Sequence, residues 1–99
     1  MVLIQIKSTG SDSWVVDPRL GCKRSEDPAD NRFWVFVGFR EEHPTYHVVP
    51  EWWIQNDMFE RRQGYVARLP PGAKEGGIQT VTPQQIREWL DRWGVLEIF

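Results

Sequence analysis

Cysteine is almost absent from this chain, with Cys22 the only one among 99 residues. One thiol makes no internal disulfide and is too few for a cysteine-based zinc site, so the fold must close without such staples. The same scarcity points to a reducing, cytoplasmic location. Charge of one sign is also scarce: 14 acidic residues against 12 basic ones leave a net charge of -2. That balance excludes a chain held to nucleic acid mainly by counterion release, although a local basic surface is compatible with it. No apolar run approaches the roughly 20 residues of a membrane span. The start, Met1-Val-Leu-Ile-Gln-Ile-Lys, is broken at Gln5 and Lys7 and lacks the basic opening and longer apolar centre of a signal peptide. Repeats, low-complexity tracts, a Gly-x-Ser-x-Gly elbow and a glycine-rich phosphate loop are missing as well.

Aromatic residues, by contrast, are plentiful. Six Trp, five Phe and two Tyr make 13% of the chain, enough large apolar side chains for a true core. The length suits one domain, residues 1–99, and allows it to bury most of its apolar surface.

Periodicity divides the chain into a strand-rich first half and a helix-rich second half. Val2 to Ser8 alternates, with Val2, Ile4 and Ile6 on one face and Leu3, Gln5 and Lys7 on the other. A polar turn over Ser8–Ser13 leads to Trp14-Val15-Val16, which predicts a hairpin of the first two strands. Asp17–Asn31, interrupted by Pro18, Gly21 and Pro28, reads as a surface loop. Phe33–Phe39 is a continuous aromatic and β-branched run, which marks a central strand covered on both faces. Thr45–Val49 is a fourth strand, and Pro50 with Glu51 opens a moderately amphipathic helix over Glu51–Arg62. Leu69–Gly77 reads as irregular, and Ile78–Val81 as a short extended piece. Thr82, Pro83 and Gln85 form an N-terminal capping signature. Ile86, Trp89, Leu90 and Trp93 then fall at helical spacing up to Gly94, which predicts a second helix over Pro83–Trp93. The expected fold class is therefore α+β, an antiparallel-rich or mixed sheet of about four strands with two C-terminal helices.

Gln5-Ile6-Lys7 carries the most chemistry. On a strand, Gln5 and Lys7 project side by side while Ile6 is expected to enter the core. The amide oxygen of Gln5 and the main-chain carbonyl of Ile6 are hard oxygen donors of the type that ligates magnesium. Lys7 is suited to orienting a water or neutralising charge that develops on a phosphate. The same pattern also describes any half-solvated strand. His43 and His47 stand at an H-x-x-x-H spacing interrupted by Pro44, which matches isolated histidines better than a zinc pair. Glu26, Asp27 and Asp30 lack the order of a calcium loop and read as a solvated acidic loop. Arg61, Arg62 and Arg68 are candidate phosphate contacts, or simply bases that complement a helix C-terminus. Trp52 and Trp53 diverge by about 100° on a helix, so at most one faces the core fully; the other is a candidate for stacking on a base or packing on a partner, or both simply cover the sheet margins.

The string Ile4-Gln5-Ile6-Lys7-Ser8-Thr9 resembles the second signature of the PD-(D/E)XK nuclease-like superfamily, with Gln in place of the acidic residue. The resemblance continues through the Trp14 strand, the Phe33–Phe39 strand, Tyr46–Ile54 and the segment bearing Arg87, Trp89, Arg92 and Trp93, and groups the chain with uncharacterised bacterial proteins. It implies a shortened restriction-endonuclease-like α/β/α core that binds DNA or cleaves it with magnesium. The implied site has Lys7 and Gln5 as catalytic residues and Gln5 and Ile6 as metal ligands. Only Met1 to Ile4 precede Gln5, so the aspartate strand and first helix of that pattern have no residues to occupy. The carboxylates are then expected to be missing or supplied by another chain. The Val2–Ser8 strand would also lack a neighbour, which suggests a homodimer or a protein partner at that edge. The alternative function is a non-catalytic protein-interaction module on the same fold.

Overall fold

The run Phe33–Val37 organises everything else in the computed structural model, which describes residues 1–72 and 79–97. Its strand, β3 (Arg32–Gly38), lies at the centre of a three-stranded mixed sheet. β1 (Leu3–Thr9) pairs with it in parallel, and β4 (Thr45–Pro50) pairs antiparallel on the other side. β2 (Trp14–Val16) and β5 (Gln79–Val81) form a separate two-stranded antiparallel ribbon. One α-helix, α1 (Glu51–Ala67), follows β4 directly, so the architecture is α+β.

Alternation along β3 gives the sheet two packed faces, as the continuous apolar run indicates. Trp34 and Phe36 point towards α1 and the ribbon, where they meet Ile54, Met58, Trp14, Val16, Val81 and Ile86. Phe33, Val35 and Val37 point the other way, with Val48, and are covered by Val2, Tyr46, Val95 and Leu96. Full burial of such side chains contributes about 2–3 kcal/mol each. The central strand is thus the main source of stability.

α1 begins at Glu51, as expected, but runs to Ala67 rather than Arg62. The added turn, Gln63–Ala67, includes the weak helix formers Gly64, Tyr65 and Val66, which is why propensity alone stops the expected helix early. Pro70 and Pro71 then bar continuation. Asp17–Asn31 is a loop, yet it is docked rather than free. The Cys22 N–H donates to the Gln55 carbonyl at 3.1 Å, and the Arg24 N–H to Asn56 Oδ1 at 3.0 Å. Gly21 makes this approach feasible, since a Cβ there would lie 3.1 Å from the Phe59 nitrogen and 3.2 Å from Met58 Cβ. Of the acidic residues in this loop, Glu26 is exposed and Asp27 nearly half exposed, as a solvated loop requires, but Asp30 is not. Asp30 is buried between Arg24 at 3.2 Å and Arg32 at 3.3 Å, and Arg32 reaches Glu51 at 2.9 Å.

Two sequence expectations are corrected. β1 and β2 do not form a hairpin: β1 lies parallel to β3, and β2 joins β5. The indole N–H of Trp14 donates to the Val37 carbonyl at 3.0 Å and holds β2 against the end of β3. Pro83–Trp93 is not an α-helix. It is a set of turns with single 3-10 turns at Arg87–Trp89 and, beyond it, Trp93–Leu96. The Gln85 half of the expected capping box forms, with the Thr82 N–H donating to Gln85 Oε1 at 2.9 Å, but the Gln85 N–H donates to the Thr82 main-chain carbonyl at 3.1 Å, closing a turn rather than capping a helix. The open side of β4 then captures the chain: Leu90 bridges to His47, and the Asp91 N–H donates to the Tyr46 carbonyl at 2.8 Å. Asp91, not Gly94, takes the left-handed conformation, at φ 53°. Ala73–Gly77 of the irregular segment, and Ile78, lie outside the described residues. Among the described residues no helix is long and apolar enough to cross a membrane.

Candidate functional site

Gln5 and Lys7 stand where the alternation puts them, on one face of β1 opposite Trp34 and Phe36 of β3. Lys7 is half-buried and folds inward, its Nζ 6.0 Å from the centre of the Trp34 ring. Ile6 does not enter the core: among the described residues it belongs to neither packed cluster, and it is 68% exposed. The Leu3 N–H donates to the Asn31 carbonyl at 2.9 Å, and the Thr9 carbonyl accepts from the Phe39 N–H at 2.9 Å. Odd-numbered residues of β1 therefore turn their backbone groups to β3, and Ile4, Ile6 and Ser8 turn theirs outward. The Ile6 carbonyl thus sits on an open sheet edge.

Gln5 lines a shallow depression of about 220 Å³ with Leu3, Ile4, Arg32, Trp34 and Glu51. The fold brings to it a carboxylate that the motif itself does not contain, since Glu51 arrives from the start of α1. No spacing in the sequence signals that approach. The Glu51 carboxylate is already engaged, by Arg32 at 2.9 Å and by the Trp34 indole N–H at 3.3 Å. One amide, one carbonyl and a carboxylate committed to a guanidinium do not fit magnesium, which takes its charge from free carboxylates. Among the described residues, no group of three or more His, Cys, Asp or Glu side chains is arranged to hold a metal ion.

The three arginines diverge. Arg61 is bound into the structure: its Nε donates to Asp57 at 2.9 Å, and its Nη1 donates to the Thr80 carbonyl at 2.7 Å and to Gln85 Oε1 at 3.1 Å. Burial raises the Asp57 carboxyl above its ordinary value, and the Arg61 charge opposes that rise. Arg62 stacks on Tyr65 at 5.8 Å, and Arg68 is exposed just beyond the helix. Trp52 and Trp53 are both half-buried. Trp53 packs edge-on against Trp89 at 5.8 Å, and Trp52 lines a cleft beside Asp27 and Pro50.

His43 and His47 part company as well: His43 is exposed in the bend before β4, and His47 is buried in β4 at 3% exposure. His47 lines a cavity of about 490 Å³, which the sequence reading missed because its walls come from three stretches far apart in sequence, 11–14, 38–47 and 83–90. Burial pushes the His47 imidazole below its ordinary value of 6.5, against a smaller upward pull from Asp91. A depressed folded value means that His47 supports stability above about pH 6.5. That support is lost as the unfolded chain takes up its proton and the pH falls towards the folded value. Urea midpoints of the wild type should therefore drop between pH 7.5 and 5.5 more than those of His47→Phe (pH values at roughly one unit either side of an ordinary imidazole). Equal drops would remove His47 as the cause. Asp57 acts oppositely, its support being present below its ordinary value of 3.8 and lost as pH rises through its raised one.

No family model, curated protein or solved structure matches this chain.

Proposed function

We propose that this chain is a protein-interaction module that works by strand addition at β1, with a second copy of itself as the occupant. The observation that carries the reading is the asymmetry of the two sheet edges. β4 has its outer side engaged by Leu90 and Asp91, whereas β1 offers the outward backbone groups of Ile4, Ile6 and Ser8. Edge strands are commonly blunted by proline, a bulge or an outward charge. β1 contains no proline or glycine, and its one charged side chain, Lys7, is folded over Trp34. Leu3, Ile4 and Ile6 remain 50%, 46% and 68% exposed.

The strand is also complementary to itself. An antiparallel partner must set outward-facing residues opposite each other, so a two-fold axis through Gln5 is allowed. That register places Ile4 of each copy against Ile6 of the other, a four-isoleucine cluster on one face. On the other face it sets each Lys7 beside Leu3 rather than beside a second lysine. The product is one continuous six-stranded sheet.

Sedimentation equilibrium over a concentration series tests the reading. A two-copy species should appear at raised concentration, and Ile6→Lys should weaken it roughly 100-fold by removing two buried isoleucines. Ile6 is exposed in the single copy, so the substitution leaves the fold intact. A wild-type chain that stays single at every concentration overturns the proposal.

A nuclease-like reading is favoured by one observation, the meeting of Gln5 with Glu51 in the depression next to Lys7. With donors that do not fit magnesium, it stops at DNA binding for this chain. It requires duplex or single-stranded DNA to be retarded by the wild type and released by Lys7→Ala; no retardation by the wild type ends it.

A further inference from the structure

The His47 cavity lies apart from β1 and is a half-open hollow bordered by the Ser11–Trp14 segment, the β3–β4 connection and the 83–90 segment. Its volume, about 490 Å³, falls within the range of small-molecule sites. Trp14, Pro83 and Leu90 supply apolar wall. Gly38 keeps the chamber's inner end narrow and defined: a Cβ there would lie 2.9 Å from Thr45 Oγ1 and 3.5 Å from Trp14 Cζ2. The strand can bring Thr45 and the indole together only without a side chain at this position. Trp14 in turn meets the His47 ring edge-on at 5.8 Å, which fixes the imidazole's plane.

Three features decide what such a chamber accepts. Its charged lining is Asp12, Glu41, Arg40 and Arg87, two acids and two bases with no net charge, and Asp12 is paired with Arg40. An organic anion meets the two carboxylates as well as the arginines, and an organic cation the reverse, so neither sign is selected. His47 is 3% exposed, and its Nδ1 has no hydrogen-bond partner among the described residues. A neutral imidazole donates at one nitrogen and accepts at the other, and the Gln84 amide on the rim does both as well. Flat apolar wall, paired donors and acceptors, and balanced charge together describe one chemistry.

We propose that this cavity is a binding site for a small, flat, uncharged heteroaromatic ring that carries both hydrogen-bond donors and acceptors, of which a nucleobase is the simplest representative. The ring lies along Pro83 and Leu90, above the buried Trp14, with its polar edge towards Gln84 and the His47 nitrogen. Nothing in this assignment depends on pairing at β1.

Titration calorimetry with adenine, cytosine and uracil, beside benzoate and benzamidine as anionic and cationic rings of similar size, tests the proposal. At least one nucleobase should bind, with both charged rings at least tenfold weaker. Loss of a hydrogen bond on the rim should weaken binding about tenfold in Gln84→Ala, an exposed turn position whose substitution leaves the core untouched. His47→Phe, which keeps the ring contact with Trp14 and removes the nitrogens, should weaken it further. Ile6→Lys should bind as the wild type does, which separates this site from the β1 edge. The proposal is overturned if no nucleobase binds at millimolar concentration, if a charged ring binds equally well, or if Gln84→Ala binds unchanged.

Discussion

Trp14→Ala should unfold most of the protein at urea concentrations that leave the wild type native. Trp14 is almost fully buried and packs edge-on against Phe36 at 5.3 Å, and its indole N–H satisfies the Val37 carbonyl at 3.0 Å. Truncating a buried tryptophan costs about 3–5 kcal/mol, and the orphaned carbonyl adds about 1–3 kcal/mol. A domain of this length has a total stability on the order of 5–15 kcal/mol, so the loss is a large share of it. Trp14→Phe retains much of the packing and loses only the hydrogen bond and part of the volume, so its midpoint should fall between the two. Far-ultraviolet circular dichroism against urea reads all three. A midpoint for Trp14→Ala equal to that of the wild type would contradict the central position given to this side chain.

Arg61→Ala should lower stability by about 2–3 kcal/mol, whereas Arg68→Ala should change it by less than about 0.5 kcal/mol. The contrast follows from position alone. Arg61 is only a quarter exposed and links α1 to β5 through the Thr80 carbonyl and to the C-terminal segment through Gln85, with Asp57 beneath it. Arg68 is exposed beyond the last helical turn. Arg61→Lys should not restore the loss, because a single ammonium cannot reproduce the planar fork that meets three oxygens from different elements. Equal urea midpoints for Arg61→Ala and the wild type would return Arg61 to the set of bases available for phosphate.

The elements dictated by local burial were legible from the residues. β3, β4 and the start of α1 follow from an uninterrupted apolar run, the short β-prone stretch Thr45–Val49, and Pro50-Glu51, and each lies within a residue or two of its expected bounds. The side-by-side placement of Gln5 and Lys7 was equally readable, because the two-residue period of a strand does not depend on its neighbour. What failed is what depends on partners. Ile86, Trp89, Leu90 and Trp93 satisfy a helical stripe, but backbone groups on β4 compete for the same chain at Leu90 and Asp91 and prevail. Ile6 has the residue type of a core position, yet whether it is buried depends on which chain, if any, lies beside β1. The Gln5–Glu51 and Trp14–His47 meetings join segments far apart in sequence, and single-sequence spacing contains no record of them.

The β2–β5 ribbon has a kinetic consequence. Its three residue pairs, from Trp14↔Val81 to Val16↔Gln79, join the first quarter of the chain to the last. The loop they close holds β3, β4 and α1, so these pairs carry a larger closure entropy than any local contact. β1 must also cross the whole Asp12–Asn31 stretch to reach β3 in parallel. Such non-local pairing places the protein among slow folders for its size, with α1 and the β3–β4 pair as the early structure. A newly made chain would therefore leave Trp14 without its β5 partner until residues 79–81 become available to close the ribbon.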